Sequence, residues 1–177
     1  MIRNMLSAQE IMEIADPRLE QHFLVSPSKL AKIVSAAEVR PTDNVIEVGA
    51  GIGTVAQVLP TSASLTVIEL DGRFTDLLRK HVPNAIAMQG DALELVQKLP
   101  CDVLLSNLPS EVTERMLPIL PRLSFRVAVL AVGEFTDLSP LADNFTLTEV
   151  TTITGDDFVP PQRGVSRVVS VKRRSQG

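Results

Sequence analysis

The chain has 177 residues, of which 45% are hydrophobic, and a formal net charge of −4. This length suffices for one domain with its own hydrophobic core and is too short for two domains of ordinary size. No stretch approaches the roughly 18 apolar residues of a membrane-spanning helix, and the N-terminus reaches acidic residues too early for a signal peptide, so we expect a cytoplasmic protein with no membrane partner.

The first 40 residues predict two short helices. Residues 8–15 form the first, with Ile11, Met12 and Ile14 facing inward. Ser26-Pro27 begins the second, because Pro is favoured at the first helical position. From residue 41 onwards, short apolar strands alternate with helical segments. We predict strands at Val45–Val48, Leu65–Leu70, Ala85–Met88, Val103–Ser106, Arg126–Val132, Thr146–Thr152 and Ser166–Val171, and helices just after Gly53 and at Phe74–His81, Ala92–Lys98 and Val112–Leu117.

This alternation predicts a single α/β domain over residues 1–177. Its core, residues 41–177, is a doubly wound fold with a mostly parallel seven-stranded sheet, and residues 1–40 form a short helical N-terminal extension. The last two strands have no obvious helix between them, which predicts a hairpin at the sheet edge. Sheets of this kind bind ligands at the carboxyl ends of their strands.

The segment VIEVGAGIG, residues 45–53, joins the first of these strands to a glycine-rich turn. Glycines allow a sharp turn and a close approach to a ligand, and NAD, flavin and nucleotide sites all use such turns. The G-x-G-x-G spacing differs from the dinucleotide pattern, and Glu47 before it suits a cationic ligand. S-adenosylmethionine carries a sulfonium and an ammonium but no phosphate. We therefore predict this cofactor, with Glu47, Gly49 and Gly51 at its site.

Acidic residues follow at the ends of the next two strands. Glu69 lies twenty residues after Gly49, where a carboxylate can accept hydrogen bonds from both ribose hydroxyls. Asp91 can accept the exocyclic amine of adenine, although an isolated Asp at this position is more often a helix N-cap. The order of the motifs favours the cofactor role for Asp91. Asp71 is expected to cap the helix that follows it.

The segment Asn107-Leu108-Pro109-Ser110 follows the fourth strand. An amine on an aromatic ring is a poor nucleophile because its lone pair is delocalised. The side-chain oxygen of Asn107 and the carbonyl of Leu108 can accept its two hydrogens and favour a pyramidal, more reactive nitrogen. Methyl transfer then depends on alignment more than on a strong base. As an isolated tripeptide, Asn-Leu-Pro is usually only a turn.

In this order, the motifs resemble those of the S-adenosylmethionine-dependent ribosomal RNA adenine-N6 dimethyltransferases, a family that includes the macrolide-resistance methyltransferases. The matching segments are Gln21-His22-Phe23-Leu24, Glu47 to Gly53, Glu69, Gly90-Asp91-Ala92, Asn107-Leu108-Pro109 and FVPPQRGVSRVVSV at residues 158–171. They cover most of the chain. The resemblance implies a class I methyltransferase fold of the Rossmann type and N-methyltransferase activity.

The resemblance also implies roles for individual residues. Gln21 and Leu24 would contact the methionine or adenosine part of the cofactor, beside the residues already named. Asn107 and Leu108 would hold the target amine, with Asn107 also next to the cofactor. Phe158 would stack on one face of an extruded base.

Three departures from the family bear on the methyl acceptor. Ser110 replaces the usual Tyr or Phe, which removes one aromatic wall of the target pocket. The helix between Val132 and Phe158 has contracted to a segment such as FTDLSPL, and the C-terminal helical domain has no counterpart before Gly177. Three interpretations stay open: a minimal RNA adenine methyltransferase, which we predict, a methyltransferase for a small molecule or another amine, and a cofactor-binding homologue that does not methylate.

Basic residues near the C-terminus are the predicted contact with RNA. Between residues 158 and 177 there is no acidic residue. A solvated tail is the alternative meaning of such a cluster. The sequence pI of about 5.2 favours weak RNA binding at most. The cluster consists of five residues: Arg163, Arg167, Lys172, Arg173 and Arg174.

Cysteine and histidine usage predicts neither a disulfide nor a metal site. Cys101 is the single cysteine and is expected at the start of a buried strand. His22 and His81 have no neighbouring nucleophile and are expected to be surface or packing residues.

Overall fold

The computed structural model describes residues 5–174. Within these residues the chain forms five α-helices and nine strands, joined by loops and short 3₁₀ turns. The helices are α1 (Ala8–Ile14), α2 (Pro27–Ala37), α3 (Gly72–His81), α4 (Ala92–Leu95) and α5 (Ser110–Met116). The strands are β1 (Phe23–Leu24), β2 (Asn44–Val48), β3 (Ser64–Glu69), β4 (Ile86–Gln89), β5 (Val103–Ser106), β6 (Val127–Gly133), β7 (Phe145–Thr154), β8 (Phe158–Val159) and β9 (Val165–Arg173).

Seven strands form one mixed sheet in the order β4-β3-β2-β5-β6-β9-β7. Strands β4 to β6 are parallel, and β9 is antiparallel to both β6 and β7. The predicted α/β fold, its seven strands and the terminal hairpin are therefore confirmed. The chain runs from β2 outwards to β3 and β4 on one side and to β5 and β6 on the other. This switch places a crevice at the carboxyl ends of β2 and β5.

Apolar side chains alternate between the two faces of the sheet, and both faces are covered. Val45 and Val103 pack on the face covered by α2, whereas Ile46 and Leu104 pack on the face covered by α4 and α5. Burying a Val or Ile side chain contributes about 1.5–3 kcal/mol, and a slip of one residue would reverse the faces. The register is thus fixed, and Glu47 must lie on the inner α2 face together with Val45.

A separate two-stranded sheet joins the first and the last of the motifs named above. β1 pairs with β8 in antiparallel fashion, with Phe23 opposite Val159 and Leu24 opposite Phe158. The backbone N–H of Val25 extends the connection by donating to the carbonyl of Asp157 (2.9 Å). The segment Gln21–Leu24 is therefore held beside Phe158, at the edge of the crevice.

Three details differ from the sequence prediction. Met12 is exposed, because it lies about 100° around α1 from Ile11, which is the residue that enters the core. The helix expected after Gly53 is a single 3₁₀ turn at Ala56–Val58, since Pro60 cannot continue a helix. Helix α5 begins at Ser110, two residues earlier than predicted.

The described residues limit two further classes of site. Between residues 5 and 174, no helix is long and apolar enough to cross a membrane. The same residues contain no group of three His, Cys, Asp or Glu side chains that could hold a metal ion. Cys101 is buried two residues before β5, and burial raises the pKa of its thiol to about 12, which keeps it protonated and unreactive.

Candidate functional site

The glycine-rich turn after β2 is packed between two other segments. Gly49 and Gly51 have φ angles of +66° and +55°, which favour glycine. A Cβ on Gly49 would lie 2.6 Å from Cδ2 of Leu108 and 2.9 Å from the carbonyl oxygen of Asn107. A Cβ on Gly51 would lie 2.8 Å from the ring of Phe23. The glycines thus allow the turn to touch both the Asn-Leu-Pro segment and the Gln21–Leu24 segment.

A cavity of about 570 Å³ opens at the carboxyl ends of β2, β3 and β5, which we call the first cavity. Its lining includes every residue predicted to contact the cofactor, namely Gln21, Leu24, Glu47, Gly49, Gly51, Glu69, Asp91 and Asn107. It also includes Leu19, Phe74, Val112 and Arg115, which the sequence analysis missed because none of them belongs to a recognised motif.

The two acidic residues after β3 and β4 are already oriented by backbone hydrogen bonds. Glu69 accepts from the N–H of Gly51 (2.8 Å) and from the N–H of Asp71 (3.0 Å), which fixes its carboxylate at the first cavity. Asp91 accepts from the N–H of Leu93 (2.8 Å), so it caps α4 as the alternative interpretation expected. Its other oxygen, Oδ2, makes no hydrogen bond within the described residues, so capping and ligand binding are compatible.

Gln21 connects the N-terminal extension to the rim of the first cavity. Its amide nitrogen donates to Asp71 (3.0 Å), and its amide oxygen accepts from the N–H of Asp16 (2.8 Å). Asp71 in turn caps α3 by accepting from the N–H of Arg73 (2.9 Å), as predicted. Both ends of the Gln21 amide are therefore engaged with the protein, and the residue fixes the position of its neighbours Phe23 and Leu24.

Glu47 is buried beneath the first cavity without a full set of partners. Its side chain is 3% exposed, and Oε2 has no hydrogen-bond partner in the described part of the chain. Burial raises the pKa of the Glu47 carboxyl to about 8, and the nearby Glu69 carboxylate adds to the effect. Ser106 Oγ is likewise buried and unpartnered, and it shares a cavity of about 20 Å³ with Glu47 and Asn107.

A second cavity, of about 300 Å³, adjoins the first. The two share Asn107, Leu108 and Pro109 in their linings, so the Asn-Leu-Pro turn separates them. Phe158 and Ser110 line the second cavity only. The structure thus brings together the three residues predicted to handle the acceptor, Asn107, Leu108 and Phe158, at the boundary with the cofactor residues.

Two groups of the Asn-Leu-Pro turn, the Asn107 side chain and the Leu108 carbonyl, differ in how many hydrogen bonds they already make. The side chain of Asn107 makes no hydrogen bond within residues 5–174. The carbonyl of Leu108 accepts one hydrogen bond, from the hydroxyl of Thr113 (3.2 Å), which is itself 1% exposed. A carbonyl oxygen has two lone pairs. Leu108 therefore keeps one acceptor position, in an orientation that Thr113 helps to fix.

His22 was expected to be a surface or packing residue, but it lines both cavities. Its Nδ1 donates to the carbonyl of Pro160 (3.0 Å), which fixes the loop after β8. Its partly buried ring packs against this loop, as expected of a packing residue, and its place within the motif Gln21–Leu24 was the signal for its position at the cavities.

The basic residues predicted to contact RNA do not form one surface. Arg167 pairs with Glu149 (2.8 Å), and Lys172 pairs with Glu38. The guanidinium of Arg173 lies over the rings of two buried phenylalanines. Lys172 and Arg173 belong to β9, so the alternative of a solvated tail is wrong for them. They are held by the fold because β9 lies between two other strands.

Arg163 has a different environment from these three. It is exposed, lines the second cavity and makes no ion pair within the described residues. Arg174, the last described residue, donates its backbone N–H to Asn144 (3.2 Å), and its side chain forms no ion pair within residues 5–174 either. Of the five basic residues, Arg163 is the one that lines the second cavity.

Comparisons with known proteins agree with this geometry. The family described as "Ribosomal RNA adenine dimethylase" matches residues 13–136. A "Probable ribosomal RNA small subunit methyltransferase A" from Methanopyrus kandleri is 32% identical over 180 residues, covering 90% of this chain and 64% of that protein. A "Ribosomal RNA small subunit methyltransferase A" from Dehalococcoides mccartyi is 37% identical over 127 residues, covering 64% of this chain and 43% of that protein.

Solved structures show the same fold. A dimethyladenosine transferase from Plasmodium falciparum superposes with a TM-score of 0.76 at 24% identity, covering 86% of this chain and 63% of that one. The 23S rRNA methyltransferase ErmE gives a TM-score of 0.77 at 20% identity, covering 86% of this chain and 70% of that one. The chain spans less than two thirds of the two relatives from Methanopyrus kandleri and Dehalococcoides mccartyi. The match over residues 13–136 shows that the chain belongs to the ribosomal RNA adenine dimethylase family.

Proposed function

We propose that this chain is an S-adenosylmethionine-dependent N-methyltransferase that acts on the N6 amine of adenine in RNA. The observation that carries the proposal is the meeting of two cavities at Asn107-Leu108-Pro109. One cavity has room and polar groups for a nucleoside cofactor, and the other ends at the acceptors that an aromatic amine requires. Membership of the family and the names of the relatives support the same activity.

The residues of the first cavity fit S-adenosylmethionine. Glu47 presents a buried carboxyl oxygen with no partner in the described chain, which suits a cationic group. Glu69 would accept the ribose hydroxyls, Asp91 the adenine amine through Oδ2, and the glycine turn would allow close approach of the backbone. Leu24 is fully buried, so it would support the lining of this cavity from behind, with Gln21 holding its segment in place. The cofactor, when bound, supplies a methyl group activated by attachment to a sulfonium.

The residues of the second cavity fit an aromatic amine. Oδ1 of Asn107 and the remaining lone pair of the Leu108 carbonyl would accept the two amine hydrogens, which turns the nitrogen lone pair towards the first cavity. Thr113 would keep the Leu108 carbonyl in this orientation. Phe158, opposite Leu24 in the β1–β8 pair, would contact the base. Catalysis would then rest on alignment of the reacting atoms.

RNA is the acceptor that the family relationship favours, and Arg163, which is exposed beside the second cavity, would contact a phosphate. An RNA substrate fits the cytoplasmic location that the sequence predicts. A small molecule is the second candidate, because Ser110 leaves the acceptor cavity without the aromatic wall that a base would normally use.

The test uses radiolabelled S-adenosylmethionine with separate pools of ribosomal RNA, protein and small-molecule extract. We expect label in the RNA pool. Asn107→Ala should lower the rate of transfer at least about 100-fold, as losing one such polar contact does in other enzymes. Cofactor affinity, measured by calorimetry, should stay within about twofold because the other cofactor contacts remain. Asn84→Ala, in an exposed loop, is the matched control and should change neither quantity.

Other outcomes separate the alternatives. Label in small molecules alone would favour the second candidate. Cofactor binding without any transfer would indicate a homologue that does not methylate. Transfer that survives Asn107→Ala would contradict the role assigned to the Asn-Leu-Pro turn.

A further inference from the structure

Phe135 differs from every other phenylalanine in the chain. The chain has six, and five of them are at most 7% exposed, whereas Phe135 is 90% exposed. A single exposed apolar residue is common in proteins and by itself needs no explanation. The position of Phe135 in the fold is what distinguishes it.

Phe135 lies on a short turn at the carboxyl end of β6, next to the end of β5. The turn closes with a hydrogen bond from the N–H of Thr136 to the carbonyl of Gly133 (3.2 Å). Arg167 fixes it from β9 by donating to the carbonyl of Thr136 (2.7 Å), while its other nitrogen pairs with Glu149 (2.8 Å). The backbone that carries the exposed ring is therefore held in place.

This turn borders the second cavity on the side of Ser110. Gly133 and Ser110 both line that cavity, and a Cβ on Gly133 would lie 3.5 Å from Oγ of Ser110. Ser110 is too small to cover a flat ring. The wall next to Phe135 is thus the one that lacks an aromatic side chain. Phe135 does not line the cavity in this conformation, but an exposed side chain changes rotamer within nanoseconds, so its ring is free to reorient about the fixed turn.

We infer that Phe135 supplies the aromatic surface that Ser110 does not provide, by stacking on the target adenine from the side that Ser110 leaves open. The inference rests on the proposed function, because it requires a planar base in the second cavity. Phe158 and Phe135 then contact the base from two separate elements, β8 and the turn after β6. Phe135 becomes a specificity-determining residue that belongs to none of the motifs recognised in the sequence.

The experiment measures kcat and KM for methylation of the RNA that the wild type labels, together with cofactor affinity by calorimetry. Phe135→Ala and Phe135→Leu should raise KM for RNA about tenfold, because both lack a ring, and Phe135→Tyr should keep the wild-type value. Cofactor affinity should not change. Ile86→Ala is the matched control: Ile86 is 61% exposed on β4, at the far edge of the sheet, and its loss should leave KM unchanged.

A second substitution tests the same wall directly. Ser110→Tyr introduced into the Phe135→Ala variant should lower KM most of the way back to the wild-type value, because it places a ring at the position next to the turn. If the wild type methylates RNA and Phe135→Ala has the same KM, the inference is wrong and the proposed function stands. If the wild type transfers no methyl group to RNA, the proposed function fails and this inference fails with it. An equal rise in KM for the Leu and Tyr variants, with a lower melting temperature, would assign Phe135 a structural role and also contradict the inference.

Discussion

The amino and carboxyl edges of the same parallel strands differ in whether their buried polar side chains have hydrogen-bond partners. At the amino edge, Asp43 is 5% exposed and accepts from the guanidinium of Arg126 (2.7 Å) and the N–H of Arg40 (2.8 Å). Asp102, just before β5, accepts from both the backbone and the side-chain nitrogens of Asn44 (2.7 and 2.9 Å). These polar groups satisfy one another and connect the starts of β2, β5 and β6.

At the carboxyl edge, the corresponding strands end in unsatisfied groups. Glu47 and Ser106 each bury a polar oxygen that has no partner in the described residues, and the turn after β2 contains three glycines with positive φ, Gly49, Gly51 and Gly53. An unsatisfied buried polar group costs about 1–3 kcal/mol. Two further unpartnered atoms, Nδ1 of His81 and Oγ of Ser170, lie elsewhere in the fold, so Glu47 and Ser106 are distinguished by the small cavity that they share with Asn107.

The largest effect is expected from removing a buried carboxylate at the amino edge. Asp43→Ala removes the nearest acidic partner of Arg126, whose side chain is only 28% exposed, and leaves it the Glu38 carboxylate at 3.9 Å. The free energy of unfolding should fall by about 3 kcal/mol. Asp76→Ala is the matched control, because Asp76 pairs with Arg79 at the same distance, 2.7 Å, but is 78% exposed. Its loss should cost no more than about 0.5 kcal/mol. Urea denaturation of the two variants provides the measurement.

The amino-edge variant should also leave the site intact. Asp43→Ala should bind S-adenosylmethionine with the wild-type affinity under conditions where it is folded. A loss of stability no greater than that of Asp76→Ala would show that the amino edge does not depend on this pair. A specific loss of cofactor affinity would show that the two edges are coupled.

The second prediction concerns a side chain added to the glycine-rich turn at the carboxyl edge. Gly49→Ala adds a strained φ, worth about 1 kcal/mol, and a Cβ that would press on Leu108 and on the carbonyl of Asn107. We expect a loss of stability of about 2–3 kcal/mol and weaker cofactor binding. Gly164→Ala is the control, because Gly164 also has a positive φ (+94°) but nothing within 4 Å of the added atom, and should cost about 1 kcal/mol. Equal losses in thermal unfolding would contradict the role of the close approach.

Local patterns in the sequence predicted most of the fold. The seven strands of the main sheet follow from short apolar runs bounded by Gly, Pro and Asp, and their ends were placed within two residues. Pairs between distant segments were not predictable in this way. The β1–β8 pair joins residues that are far apart in the chain. The ion pair of Arg167 with Glu149 forms only because the fold brings β7 and β9 side by side.

The candidate site was predictable to the extent that its residues lie in motifs. The sequence led to Glu47, Glu69 and Asp91, and the structure places all three on one cavity. It assigned no site role to His22, although His22 lies in a matched motif, and it did not single out Phe135, because the positions of the loops after β6 and β8 depend on contacts between distant segments. The roles assigned to these residues stay predictions until binding and transfer are measured.

The smallest of the three predicted effects concerns Glu47 at the carboxyl edge. The pH dependence of the unfolding free energy measures how much it costs to bury the charged form of this carboxyl. Its pKa is about 8 in the folded protein and about 4.5 in a model compound, so the folded state binds its proton more tightly than the unfolded state. The group therefore contributes stability that is fully present below about pH 4.5 and is lost as the pH rises through about 8. Glu47→Gln cannot titrate and lacks this dependence.

Between about pH 5.5 and about pH 7.5, the wild type should therefore lose about 2 kcal/mol of unfolding free energy relative to Glu47→Gln. Urea denaturation at both pH values, without cofactor, measures it. A cationic ligand beside Glu47 should favour the charged carboxylate, so cofactor binding at neutral pH should release a proton from the wild type and none from the variant. Calorimetry in two buffers of different ionisation enthalpy detects that proton. A pH-independent difference in stability, with no proton released, would mean that Glu47 is charged before the cofactor arrives, and the carboxyl edge would then be as well satisfied as the amino edge.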